Sequence, residues 1–149
     1  AEPKSGSYTA WLLDPRRVEH WFTMYNPRFP VLIGYTFPAT DNPWLADWQE
    51  NRRATGLPWI GQAIARGIEF GSTPYAEGLR KSVDRATMLG TKPFRWVEGY
   101  QRMSTHFTLW LAEIPPTYKG AAEVRQSPGG YTVIEAQTGR NAPVTLGVQ

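Results

Sequence analysis

The sequence of 149 residues contains no cysteine. Disulfides, thiolate metal ligands and cysteine nucleophiles are therefore excluded. The lack of cysteine does not decide the compartment, because both periplasmic and cytosolic proteins can lack it. The periplasm and the outside of the cell remain among the options. No apolar run approaches the roughly 20 residues of a membrane-crossing helix, so we expect no membrane span.

Long runs of one charge sign are absent as well. The formal net charge is +3, and the basic residues occur as scattered pairs with acidic residues nearby. This pattern is typical of a solvated surface. A nucleic-acid surface would need a basic stripe with exposed aromatic side chains, so we expect no nucleic-acid partner.

The common catalytic and cofactor motifs are missing too. There is no Gly-x-Ser-x-Gly elbow, phosphate loop or dinucleotide fingerprint. The two histidines, His20 and His106, lack the spacing of metal ligands. We expect no metal and no cofactor, and we interpret each histidine as a hydrogen-bonded or half-exposed side chain of a strand.

Glycine, proline and aromatic residues are plentiful. Fourteen glycines and thirteen prolines interrupt the chain often, which favours short strands and turns. The pattern predicts an all-β protein, an antiparallel β-sandwich or barrel, forming one domain over 1–149 or the C-terminal fragment of a larger one. The predicted strands are 7–13, 17–26, 29–37, 44–52, 64–70, 94–100, 101–113, 130–136 and 144–147; 53–62 is a predicted loop and 75–89 the only plausible helix.

The most informative segment is 43–71, which is rich in tryptophan, arginine and carboxylates. Because side chains alternate along a strand, 44–52 would place Trp44, Trp48, Glu50 and Arg52 on one face. Flat aromatic surface beside a carboxylate and a guanidinium is typical of a site for polyols. The alternative is that the tryptophans fill a core, although a carboxylate on the same face would then be costly to bury.

A second carboxylate, Glu69, follows on the next predicted strand. Gly67 and Gly71 flank it on its own face, which would allow a ligand to approach closely; a bulge or a tight crossing of chains is the other interpretation. Arg66 points to the opposite face of that strand. Carboxylates on neighbouring strands would serve as acid and base if their environments separated their pKa values.

Three segments, FTMYNPRFPVLIGYTFP, PWLADWQEN and ARGIEFGSTPY, followed by PFRW and a long strand, together resemble the C-terminal portion of aldose-epimerase-like (galactose-mutarotase-like) proteins of an uncharacterised branch. The similar part spans roughly 20–115. The resemblance implies a β-supersandwich of about twice this length. The chain would then be a C-terminal part, with the missing N-terminal part or another chain as a partner.

The resemblance also implies a chemistry, in which a carboxylate base and a histidine acid open a sugar ring. No histidine motif of that kind is present. We therefore carry three hypotheses: a carbohydrate-active protein, a sugar-binding module without turnover, and a structural or interaction domain with core tryptophans. For the first, the predicted catalytic residues are Glu50, which is favoured, and Glu69; the predicted sugar-binding residues are Trp44, Trp48, Arg52 and Arg66.

Overall fold

The structure, a computed structural model, describes residues 4–136 and 141–143. This part of the chain forms nine strands and one short helix, and the named strands pair only antiparallel. The predicted all-β, antiparallel class is confirmed. The elements are β1 (Ser5–Leu12), β2 (Glu19–Tyr25), β3 (Val31–Pro38), β4 (Trp44–Asn51), β5 (Ile64–Gly71), α1 (Leu79–Asp84), β6 (Thr108–Glu113), β7 (Ala121–Ser127), β8 (Gly130–Glu135) and β9 (Asn141–Pro143).

The chain divides into two compact units, each with sheets of its own. The first unit comprises Ala1–Val18 and Ala39–Ser104, and the second comprises Glu19–Pro38 and Thr105–Gln149. Whether the whole is one domain or part of a larger one stays a prediction.

The first unit contains a three-stranded sheet with the order β1-β4-β5. The central strand β4 pairs over its full length with both neighbours, so that Trp48 lies opposite Tyr8 on one side and opposite Gly67 on the other. Since β4 takes its hydrogen bonds from both sides, this sheet fixes the positions of the tryptophan and carboxylate side chains predicted to form a site.

The rest of the first unit contains the short helix α1, which lies inside the predicted range of 75–89. Within the described residues, no helix is long and apolar enough to cross a membrane. The strand predicted over 94–100 is wrong, because this segment is a loop. Its backbone turns at Tyr100 (φ 66°), and Arg95 bonds to the Thr40 carbonyl and to the Asp41 carboxylate (3.4 Å), so side chains rather than a strand ladder hold it.

The second unit contains two three-stranded sheets, β2-β3-β6 and β7-β8-β9. A buried apolar cluster joins them, and in it the rings of Trp110 and Tyr131 stack at 6.1 Å between centroids. This unit is therefore sandwich-like. Gly34 lies directly opposite Trp110, and a Cβ at that glycine would fall 2.1 Å from the indole ring, so only glycine lets the ring lie flat on the sheet.

Two predictions for the second unit need correction. The strand predicted over 101–113 begins only at Thr108, where pairing with β3 starts; from there its side chains alternate, with Trp110 buried and Leu111 exposed. Strand β7 was not predicted, because its polar residues hide the pattern, yet it forms a hairpin with β8 across Pro128 and Gly129. The strand predicted over 144–147 lies outside the described residues.

Candidate functional site

The predicted tryptophans and both predicted carboxylates share one side of the first sheet. Residues directly opposite each other in an antiparallel pair project to the same side. The register places Glu69 opposite Ala46, while Trp48 and Glu50 follow on the same side of β4. We call this side the Trp48 face; its members with polar or aromatic side chains are Tyr8, Trp44, Trp48, Glu50 and Glu69.

Glu50 and Glu69 nevertheless lie apart on the Trp48 face. Glu69 pairs with Ala46, which is four residues from Glu50, or about 13 Å along a strand. An acid and a base that act on one small group need closer positions than this. Each carboxylate is therefore described with its own neighbours.

Glu50 is buried, and the backbone of the following turn satisfies its charge. Its Oε1 accepts hydrogen bonds from the backbone N–H groups of Arg53 and Ala54, the second at 2.8 Å. Hydrogen bonds from N–H groups to a carboxylate are charge-assisted and offset the cost of burial. Glu50 thus holds the start of the loop that joins β4 to β5.

Arg52 does not lie where the sequence predicts it. Strand β4 ends at Asn51, and Arg52 has a left-handed backbone (φ 56°) with its N–H donating to the Ala63 carbonyl at 2.7 Å. The strand alternation therefore stops before this residue. Arg53 lies beside the Trp48 face instead, and its guanidinium donates to the Gly6 carbonyl at 3.3 Å.

Arg66 lies on the opposite side of the sheet. Its guanidinium donates two hydrogen bonds of 2.9 Å to Asp47, which also accepts one of 2.7 Å from Gln49. The hydrogen bonds from Arg66 hold the pKa of the Asp47 carboxyl below its usual value, and Gln49 adds to the effect. Arg66 and Glu50 therefore lie on opposite faces, although both line an open groove of about 590 Å³ at the end of the sheet, and Arg66 has a carboxylate partner already.

Trp44 and Trp48 differ in exposure, which separates their roles. Trp44 exposes 2% of its surface, so its ring is not open to a ligand and the core interpretation fits it. Trp48 is half-buried, and its ring lies over Gly67, where a Cβ would come within 3.4 Å of the indole. Trp59 from the following loop contacts Trp48 at 5.1 Å between ring centroids.

Glu69 is exposed and belongs to a small group of aromatic side chains. The Tyr8 hydroxyl donates a hydrogen bond of 3.3 Å to its carboxylate, and the Tyr75 ring lies 5.8 Å from that of Tyr8. Burial raises the pKa of Tyr8, and the negative charge of Glu69 raises it further. Tyr8 therefore stays protonated and acts as a hydrogen-bond donor at neutral pH.

An open groove of about 520 Å³ runs over the Trp48 face, and Tyr8, Trp48, Glu50, Arg53 and Thr55 line it. The sequence pointed to Trp48 and Glu50 but missed the others. The alternation of side chains along β1 indicates which face Tyr8 lies on. That Tyr8 lies opposite Trp48 depends on the register between β1 and β4, which the sequence does not show. The position of Arg53 depends on the left-handed backbone of Arg52, and no sequence pattern predicts that conformation.

Candidate proton donors and metal ligands are few in this unit. Both histidines of the chain, His20 and His106, belong to the second unit. Within residues 4–136 and 141–143, no three His, Asp or Glu side chains come together as metal ligands would. The groove therefore offers carboxylates, a guanidinium, hydroxyls and an indole, which are groups that hydrogen-bond and stack.

Comparison with known proteins adds no relative. No family model matches the chain, and neither the curated proteins nor the solved structures include a significant match.

Proposed function

We propose that the first unit binds a carbohydrate in the groove over the Trp48 face. The observation that carries this proposal is the position of Trp48 beside Tyr8, Glu50 and Arg53 in one open groove. An indole face covers the apolar side of a pyranose ring, and charged hydrogen-bonding groups fix its hydroxyls, as ligand sites combine apolar surface with a few placed polar groups.

Three of the lining residues have a part in this proposal. Trp48 stacks on the sugar ring. Arg53 uses one N–H on the Gly6 carbonyl and offers its remaining donors, which form a planar fork, to the hydroxyls. Glu50 uses Oε1 on the backbone, which leaves Oε2 to accept from a sugar hydroxyl.

The aldose-epimerase-like resemblance supports a catalytic version of the proposal, in which a carboxylate removes the proton of the anomeric hydroxyl while an acid protonates the ring oxygen. The hydrogen bonds of Glu50 to the backbone favour Glu69 for this step, since Glu69 is exposed and bonded to the Tyr8 hydroxyl. The acid would have to come from outside the first unit, which has no histidine. That absence favours the second candidate function, a module that binds sugar without turnover.

Titration with a panel of aldoses, followed by tryptophan fluorescence, tests the proposal. We expect Trp48→Ala to weaken sugar binding at least tenfold. Trp11→Ala is the matched control, because Trp11 lies on the other side of the same sheet and is 47% exposed. A panel without any fluorescence response, or equal losses in both variants, would overturn the proposal.

Polarimetry of mutarotation separates the two versions. A catalytic protein accelerates the approach of a fresh aldose solution to its equilibrium rotation, and Glu69→Gln abolishes the acceleration. A binding module gives the fluorescence response without any acceleration.

A further inference from the structure

The loop between β4 and β5 presents apolar side chains to solvent. Leu57, Trp59 and Ile60 near its end are 89%, 38% and 53% exposed, and Ile64 at the start of β5 is 63% exposed. We call these four residues the apolar tip. Isolated apolar residues are common on protein surfaces, whereas four exposed ones within eight residues of chain are a candidate contact site.

The loop that carries the apolar tip is internally bonded. The Ile60 N–H donates to the Gly56 carbonyl at 3.0 Å, and the Gly61 N–H donates to the Ala54 carbonyl at 2.8 Å. At its base, the Trp59 ring packs on Trp48, and Glu50 holds the entering turn. Local structure therefore holds the loop in the shape that exposes Leu57 and Ile60, and Trp59 of the tip anchors it on Trp48.

Within the loop itself the charged side chains have one sign, while the carboxylate of Glu50 lies just before the loop and bonds to the backbone of its entering turn. Residues 51–68 contain three arginines and no aspartate or glutamate. Arg66 is neutralised by Asp47, and Arg53 bonds to a carbonyl, which leaves its charge in place. Arg52 is exposed and forms no ion pair among the described residues. The charge of Arg52 thus remains next to the apolar tip, whereas Arg53 lines the groove described above.

We propose that the apolar tip docks the protein on an anionic lipid surface. Tryptophan and aliphatic side chains enter the boundary between headgroups and acyl chains, and adjacent cations bind lipid phosphates. Arg52, which is exposed and forms no ion pair among the described residues, supplies such a cation. This attachment is peripheral, involves a single loop and goes beyond the proposed sugar binding.

The charge favours a lipid surface over a second copy of the chain. A two-fold contact would bring the same patch of both copies together. The Arg52 side chains of the two copies would then lie close together, and the loop itself, residues 52–63, has no carboxylate to pair with them. An anionic membrane instead complements both the apolar side chains and the charge.

Co-sedimentation with vesicles of phosphatidylcholine, with and without phosphatidylserine, tests this inference. We expect the full chain to bind the phosphatidylserine vesicles and to dissociate as salt screens the charges. The double variant L57S/I60S is expected to lose at least tenfold in binding, and Arg52→Gln about fivefold. Sugar titration of L57S/I60S serves as the check of folding, since the groove does not use these two side chains.

The matched control is L79S/L89S, which removes two leucines that are 73% and 76% exposed elsewhere in the first unit. We expect it to bind vesicles like the unmodified protein. Failure to bind phosphatidylserine vesicles at low salt would overturn the inference, as would equal losses in the two double variants. A dimer in sedimentation velocity that L57S/I60S disperses, without vesicle binding, would assign the tip to self-association instead.

Discussion

Glu50, a predicted catalytic residue, has a structural role in the turn that follows β4. The carboxylate is buried at the end of β4, and two backbone N–H groups of the next turn bond to its Oε1. Removing a buried acceptor leaves its donors buried without a partner. The free-energy cost of those unpaired donors exceeds the net stabilisation that the hydrogen bonds had contributed. The loop that carries both Arg53 and the apolar tip begins at this point.

Substitutions at Glu50 separate its structural part from its part in binding. We expect Glu50→Ala to lower the free energy of unfolding by about 1–3 kcal/mol, measured by urea denaturation. Glu50→Gln keeps an acceptor oxygen, so the loss should stay below about 1 kcal/mol, while sugar binding weakens because the charge at Oε2 is gone. An alanine variant as stable as the unmodified protein would contradict the structural part.

At the level of elements, strand alternation predicts faces well, and register decides what those faces contain. The period of two placed Trp44, Trp48 and Glu50 together on β4 from sequence alone. It could not show that Tyr8 lies opposite Trp48, or that Glu69 lies opposite Ala46, because pairing between strands distant in sequence leaves no local pattern.

Two departures of the structure from the strand pattern have local physical causes. Alternation along β4 predicts Arg52 beside Trp48, but the left-handed backbone of Arg52 ends the alternation one residue early. The segment 94–100 has strand-like composition, yet Arg95 bonds to Thr40 and Asp41 and holds it as a loop. In these cases a side-chain contact or a single dihedral angle outweighed the propensity of the segment.

The contact between Gly34 and Trp110 makes a prediction for the β2-β3-β6 sheet. A methyl group at Gly34 would overlap the indole ring, with three ring atoms within 2.3 Å of the Cβ position. Since overpacking a core costs about 1–3 kcal/mol, Gly34→Ala should lower Tm by roughly 2–10 °C in calorimetry.

A second strand glycine provides the control for that prediction. Gly71 also lies in a strand, and a Cβ there would meet no atom within 4 Å. Gly71→Ala should leave Tm unchanged or raise it slightly, because alanine restricts the unfolded chain. Equal effects of the two substitutions would show that the close packing of Trp110 on Gly34 is not what matters.

At the scale of the whole molecule, the net charge is a modest +3, and the arginines named above fall into two groups. Some guanidinium groups are paired with carboxylates, as Arg66 is with Asp47 and Arg85 is with Glu77. Arg52 and Arg53 lack such partners among the described residues. The paired groups bear on stability and its pH dependence, whereas Arg52 and Arg53 are the ones that the proposed binding sites use.

The buried carboxylate of Asp47 predicts how stability changes in acid. Because the hydrogen bonds from Arg66 lower its pKa in the folded protein, Asp47 stabilises the fold at pH values above its unfolded pKa of about 3.9. That contribution is lost as the pH falls through the lower, folded value. Arg66 is 61% exposed, so solvent screens the pair and we expect about 1 kcal/mol at pH 7.

Urea denaturation of Asp47→Asn at several pH values tests this expectation. The variant should be less stable than the unmodified protein at pH 7, and the difference should shrink toward zero as the pH falls below about 3. Asp84→Asn is the control, since Asp84 is 71% exposed and lies 3.9 Å from Arg80; it should follow the unmodified protein throughout. If Asp47→Asn has the same pH dependence as the unmodified protein, another carboxylate governs its acid sensitivity, because a neutral side chain at position 47 cannot release a proton on folding.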